Sequence, residues 1–460
     1  MIWRVAWSRG WMLVWLAALI SGPISRADEP AATKSDTPAA ESAETTPPAQ
    51  DLELLKLFAD ALDQVERNYV KEIDRRELME AAIRGMLSKL DPYSNFIPPA
   101  ELDKFKSSVE NEFGGIGITV STEGGGLTIT SPIYGSPAYR AGLRGGDKII
   151  EIEGEPTTGI TIDEAVKRIK GKVGLPIKLT IEHVASGDKE SLELTRELVR
   201  VDSVLGDTRK ADDTWNFMLS GDKKIGYIRI SSFSRHTADD LKKALVELTK
   251  QEMQGLILDL RYNPGGLLTA AIEVSDLFVT EGKIVSTAGR NAKPKTWKAE
   301  KAGTFDGFPL AVLVNHNSAS ASEIVAACLQ DHGRAVIIGE RTWGKGSVQN
   351  IIELEEGNSA LKLTTAGYLR PSGKNIHRGE GAKDSDEWGV KPNDGLEVSL
   401  NTDEAEAYLK ERRERDAIVA PPKEGTKPAE EHKFDKQLQT AYDHLLGKLD
   451  KQTAQAEPAK

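Results

Sequence analysis

The sequence predicts an α/β protein of mixed α+β make-up. It should have a layered strand-and-helix core, an inserted half-barrel of short strands and a small helical module near the N-terminus. Three observations carry this. Apolar runs at 256–260, 310–314 and 336–338 alternate with helical periodicities, the pattern of strands buried on both faces by helices. Between about 106 and 200, short alternating stretches are punctuated by glycine turns. From Asp51 onward, apolar residues recur at helical spacing.

Taken in order, Arg4 and Arg9 flank the start of an apolar run at 11–20 that is short for a bilayer span, and Ser25-Arg26-Ala27 offers small residues where a signal peptidase reads. Residues 1–27 read as an export signal or an uncleaved N-terminal anchor. Residues 28–50, rich in Ala, Pro, Thr, Ser and Glu with no apolar period, read as a disordered linker. The helical module covers 51–105. Leu54, Phe58, Leu62, Val65 and Tyr69 mark one helix, and Leu78, Ala82, Ile83, Met86, Leu87 and Leu90 a second that stops before Asp91-Pro92. The pair packs on its own domain or on a second subunit.

The half-barrel spans 106–200. A strand at 114–120 leads into a Gly124-Gly125-Gly126 hairpin and a strand at 127–130, Ser136-Pro137-Ala138 opens a short helix, and a strand follows at 148–152. Thr161 and Glu164 form a capping box, with further strands at 176–183 and 191–196. A half-open barrel with two helices is a peptide-binding architecture. The core, 201–400, adds a strand at 224–233, a helix at 239–250 and a helix running to Leu277. Both Asn263-Pro264-Gly265-Gly266 and the serine cluster at 318–322 follow strand ends and open helices, where sites form in such sheets. The tail, 401–460, is charged, with one amphipathic helix marked by Phe434, Leu438, Tyr442, Leu445 and Leu449.

Composition narrows the function. A net charge of −11 with no basic block argues against nucleic-acid binding. The one cysteine, Cys328, excludes an intrachain disulfide and sits in an apolar stretch as a core residue. Seven scattered histidines without His-Glu-x-x-His argue against a metal hydrolase, and neither metal nor cofactor is expected.

The chemistry lies in two stretches, Asn-His-Asn-Ser-Ala-Ser-Ala-Ser-Glu (315–323) and Thr-Trp-Gly-Lys-Gly-Ser-Val-Gln (342–349). A serine at a helix N-terminus sits beside unpaired N–H groups that can hold an oxyanion, although serine also suits plain capping there. Two glycines at 265–266 let the backbone approach a ligand or simply turn. Lys345 between glycines is a solvated charge or a base. As a base its pKa must fall from about 10.4 toward 7, a penalty of about 4 kcal/mol that burial supplies. Gln349, four residues on, shares a face with it and can orient the amine, or is an ordinary strand residue.

The stretch from Val314 to Gln349 resembles the carboxyl-terminal processing peptidases, or tail-specific proteases. Leu258-Asp259-Leu260-Arg261 through Gly266 is similar to that family's second motif, and Leu90-Asp91-Pro92-Tyr93-Ser94 and Phe113-Gly114-Gly115-Ile116-Gly117 to its N-terminal and PDZ signatures. The resemblance runs from about 51 to 400. It implies a peptidase core with an inserted PDZ domain. Ser320 falls on the nucleophile, Lys345 on the general base and Gln349 on its orienting partner. The N–H groups of Gly266 and Ala321 fall on the oxyanion hole, and Gly115, Ile116, Gly117 and Ile118 on the segment that receives a substrate's C-terminus. Tyr262, where the family more often shows Asn, and the polar insert at 377–387 depart from the pattern.

The expected function is a Ser–Lys endopeptidase that binds C-terminal tails of exported proteins through the PDZ domain and cleaves them. It would act in the periplasm or cell envelope, with possible membrane association through the N-terminus and a possible homodimer. The alternative is a non-catalytic PDZ-type peptide-binding protein on a peptidase-like scaffold. A Ser–His site using His316 or His332 is a further enzyme reading.

Overall fold

The computed structural model describes residues 49–122, 125–221, 223–420 and 434–456. The expected signal at 1–27, nearly all of the linker and part of the Gly124–Gly126 hairpin lie outside them. The described residues fall into two bodies. One holds Asp103–Gln349 and the described part of Thr365–Lys460; the other holds Asn350–Thr364 and the described part of Leu19–Leu102.

The first body contains a five-stranded sheet ordered Val204–Leu205, Ile225–Ile230, Gly255–Asp259, Leu310–Val314, Ala335–Gly339. The last four strands run parallel and the first is antiparallel. Gly255–Asp259 and Leu310–Val314 are buried along their whole length, as strands covered on both faces must be. On one face Ile225, Tyr227, Ile257, Ala311, Leu313 and Ile338 pack against Leu438, Ala441, Tyr442 and Leu445 of the helix Lys436–Ala456. By strand alternation Ile228, Leu256, Leu258 and Val312 face the other side. There the helices Thr237–Lys250, Leu268–Asp276 and Ala321–Asp331 pack in sequence. This is the α/β layering the apolar runs predict.

The same body carries the half-barrel, an antiparallel sheet ordered Ile118–Ser121, Thr128–Pro132, Lys148–Ile152, Pro176–Glu182, Lys189–Thr195. Its core is Ile116, Leu127, Ile129, Leu143, Ile149, Ile177 and Leu179, closed by Ala138 and by Ala165 and Ile169 of the helix Ile162–Ile169. Among the described residues Ile118–Ser121 is an edge strand with one neighbour. Thr161 caps its helix by accepting from Glu164 N at 3.2 Å, but the box is half made: the Glu164 carboxylate pairs with Arg168 instead.

Two boundaries differ from expectation. The helix Pro99–Glu110 runs through the junction expected at 105–106. Past residue 401 the described residues form two helices rather than one, Thr402–Asp416 and Lys436–Ala456. The first has almost no apolar face. Its start is fixed by Asn401, which accepts from Glu404 N while the Glu404 carboxylate accepts from Asn401 N. Arg412 within it donates to the Gly206 and Asp207 carbonyls.

In the second body, Asp74 caps the helix Arg75–Leu87 by accepting from Arg76 N and Glu77 N, and Asn95–Ile97 pairs antiparallel with 360–362. The helix Ala49–Asn68 leaves Leu52, Leu54, Leu55, Leu57 and Phe58 exposed. Among the described residues no helix is long and apolar enough to cross a membrane.

Candidate active site

The strand Leu310–Val314 delivers the serine cluster, and the structure separates its three members. Ser318 Oγ donates to Leu260 O at 2.8 Å and accepts from Asn315 N; Ser322 Oγ donates to Asn263 O at 2.8 Å. Ala319 N adds a bond to Asn263 O. The outer serines therefore staple this turn to the end of the neighbouring strand. Ser320 is different. It is fully buried, its backbone sits at φ 56°, ψ −112°, and its Oγ makes no hydrogen bond among the described residues. A non-glycine residue at positive φ costs about 1–3 kcal/mol and persists where its surroundings over-determine it.

The surroundings are the Gly265–Gly266 turn and Glu323. A Cβ on Gly265 would lie 2.8 Å from Ser320 Cβ, 2.9 Å from Ala321 N and 2.7 Å from Ala319 O, with φ at +104°. Only glycine allows the two turns to touch. Gly265 O accepts from Phe233 N, and Leu267 N donates to Phe233 O, which fixes the turn on the neighbouring strand's exit. Neither the Gly266 nor the Ala321 N–H has a protein acceptor among the described residues.

Glu323 lies within the first turn of the helix and is fully buried. Its Oε2 accepts from Ser320 N and from Lys345 N, each at 2.8 Å. Its Oε1 accepts from Gly344 N at 2.7 Å and Thr342 Oγ1 at 2.5 Å. One oxygen thus joins the serine turn to the lysine turn, and the two backbone nitrogens stand no more than twice 2.8 Å apart. Burial pushes the Glu323 carboxyl above the usual glutamate range, while the four donors pull it back down. Lys345 is 5% exposed. Gln349 is buried in the strand Ser347–Leu354 and donates from Nε2 to Ser347 Oγ at 2.8 Å.

Ser320, Ala321, Lys345 and Gly266 are thus brought together, with Gln349 four residues along the chain from Lys345. The half-barrel residues form a separate surface. Ile116 O accepts from Ala138 N, and Gly117 O accepts from Ile133 N and Ser136 Oγ, while the Ile116 and Gly117 N–H groups take no acceptor among the described residues. Gly115 ends the strand Glu112–Gly115, and Ile118 starts the edge strand. The histidines point elsewhere. His316 Nδ1 is 2.6 Å from Glu340, and His332 Nε2 is 2.8 Å from Lys283 O at the far end of the Ser320 helix, about 17 Å along its axis. Glu323 was open to sequence reading as the far half of a Ser-x-x-Glu capping box, but its reach to Lys345 was not.

A model of peptidase family S41 matches residues 224–393, one of the PDZ domain residues 104–182, and one of the activating protease CtpB N-terminal domain residues 20–99. The carboxy-terminal-processing protease of Bartonella bacilliformis is 37% identical over 427 residues, which cover 88% of this chain and 91% of that one. The chain belongs to the carboxy-terminal-processing proteases of peptidase family S41. It is therefore a serine peptidase with a PDZ domain. The carboxy-terminal processing protease CtpA of Bacillus subtilis is 38% identical across 69% of this chain and 66% of its own length. The solved photosystem II D1 C-terminal processing protease is 29% identical, over 75% of this chain and 92% of that one, with a TM-score of 0.42.

Proposed function

We propose that this peptidase works by a Ser–Lys mechanism. Ser320 attacks the scissile carbonyl, and Lys345 takes its proton and returns it to the leaving amine. Gln349 orients the amine, and the N–H groups of Gly266 and Ala321 hold the oxyanion. The observation that carries this is the single Glu323 oxygen shared by the Ser320 and Lys345 backbones. Burial of Lys345 adds support, because a desolvated amine favours its neutral form. So do the Gly266 and Ala321 N–H groups, which have no protein acceptor among the described residues.

Substrates are proteins held by their C-termini. The Ile116 and Gly117 N–H groups receive the terminal carboxylate, and the tail adds as a strand beside Ile118–Ser121. The export signal read from residues 1–27 makes exported proteins the substrates and the periplasm or cell envelope the site of action. If the signal stays uncleaved, it anchors the chain to the membrane. The exposed leucines of Ala49–Asn68 fit a homodimer contact.

A folded substrate with an apolar C-terminal tail, incubated with wild type and Ser320→Ala and analysed by mass spectrometry, tests this. New fragments should form only with the wild type. Equal fragmentation by both would remove Ser320 from the mechanism. Tail binding with no fragments from either would favour the non-catalytic reading.

A further inference from the structure

Tyr368 lies near the end of the strand Ser359–Leu369 and is 2% exposed, among the largest fully buried side chains. Its backbone is tied to the lysine turn: Tyr368 N donates to Gly346 O at 2.8 Å, one residue past Lys345. Across the antiparallel pairing it stands opposite Thr287. These contacts hold its backbone beside the lysine turn. A fully buried phenol is costly unless its hydroxyl finds a partner, and phenylalanine would fill the same space without that cost. The polar group the phenol meets is the hydroxyl of Ser320.

Ser320 Oγ in turn is buried and forms no hydrogen bond of good geometry among the described residues. A buried serine hydroxyl without a well-formed hydrogen bond and the phenol of a buried tyrosine, distant in the chain, thus meet. That is the arrangement expected of a contact that tightens only when the serine oxygen gains charge.

We propose that Tyr368 is a positioning residue for the nucleophile, its phenol donating a hydrogen bond to Ser320 Oγ as that oxygen loses its proton. This rests on the reading of Ser320 as nucleophile and Lys345 as base. The proton bookkeeping is simple. Lys345 takes the serine proton, the serine oxygen forms the bond to the carbonyl carbon, and Tyr368 keeps its own proton throughout. Burial supports the last point, since it pushes the phenol well above its usual range and keeps it a donor.

Tyr368→Phe removes the hydroxyl and leaves the ring. With a peptide substrate kcat should fall roughly ten- to a hundredfold, the loss of one hydrogen bond to a developing charge, with KM nearly unchanged. The rate at which a fluorophosphonate modifies Ser320, located by mass spectrometry, should fall by a similar factor. A purely structural tyrosine would not slow this labelling at unchanged KM. Labelling of Ser320 at wild-type rate in Tyr368→Phe overturns the role of Tyr368 and leaves the nucleophile assignment standing. A wild-type chain whose adduct lies elsewhere overturns the nucleophile assignment itself. Should Tyr368→Phe not fold, 3,5-difluorotyrosine at 368 keeps shape and hydroxyl but ionises more readily. As pH rises, its labelling rate should begin to fall at a lower pH than the wild type's, as the more acidic phenol ceases to donate. Parallel pH profiles would overturn the proposal.

Discussion

Glu323→Gln is the sharpest test of how the site is assembled. The carboxylate accepts four hydrogen bonds, two on each oxygen, from Ser320 N, Lys345 N, Gly344 N and Thr342 Oγ1. An amide keeps one accepting oxygen. If that oxygen stays between Ser320 and Lys345, the new NH2 faces Gly344 N–H and Thr342. The threonine hydroxyl can turn and accept, as it already does from Val390 N at 2.7 Å. Gly344 N–H cannot, so at least one buried donor is stranded at about 1–3 kcal/mol. The remaining bonds also lose their charge assistance. The sum is roughly 2–4 kcal/mol of stability, and a comparable misplacement of the lysine turn would lower kcat at least about tenfold. Urea unfolding and peptide kinetics on the same preparations measure both. Glu323→Gln with stability and kcat/KM within twofold of wild type would refute the claim that this carboxylate holds the two turns together.

Other outcomes follow from the same geometry. Gly265→Ala places a Cβ 2.8 Å from Ser320 Cβ at a φ of +104°, so peptidase activity should collapse while binding of tail peptides, measured by fluorescence anisotropy, persists. His316→Ala should leave activity intact, because the histidine bonds Glu340 rather than Ser320. Its stability effect should depend on pH. The Glu340 contact raises the His316 pKa and the pairing lowers that of Glu340. The pair's contribution is therefore largest from about pH 4.5 to about pH 6.5, fades as pH rises through the raised histidine value, and fades again in acid as Glu340 protonates. The histidine side chain is largely exposed, so the effect stays below about 1 kcal/mol in urea titrations. Cys328 is fully buried and its thiol is pushed up to about 12 by burial, so it should resist thiol reagents at neutral pH until the chain is unfolded.

How far the sequence could be read depended on whether a feature was local. Leu310–Val314 and Gly255–Asp259 announce themselves because a strand buried on both faces must be apolar throughout. The serine and lysine turns were visible as small-residue segments between such runs. What decides between Ser318, Ser320 and Ser322 is tertiary: the partners of the outer two, Leu260 O and Asn263 O, lie 58 and 59 residues away. The Glu323 bridge to Lys345 and the approach of Tyr368 likewise depend on chain crossings that no periodicity encodes. The helix Thr402–Asp416 escaped because its stability comes from a capping box and from Arg412 reaching the Gly206 and Asp207 carbonyls, not from an apolar stripe. Tyr262, a departure from the family pattern, proves to sit at φ 58° with its N–H on Asn315 Oδ1 and its ring stacked on Tyr408 of that helix. Its substitution is thus matched to a neighbour the sequence did not reveal.

The central claim is that Ser320 and Lys345 act as one unit. A double-mutant cycle of Ser320→Ala, Lys345→Ala and the pair, read as kcat/KM on a peptide with an apolar C-terminus, tests it most directly. Each single change should cost about a thousandfold or more, and the double should lose no more than the worse single, because removing either member already disables the pair. Appreciable turnover by Lys345→Ala, or losses that multiply in the double variant, would contradict the account.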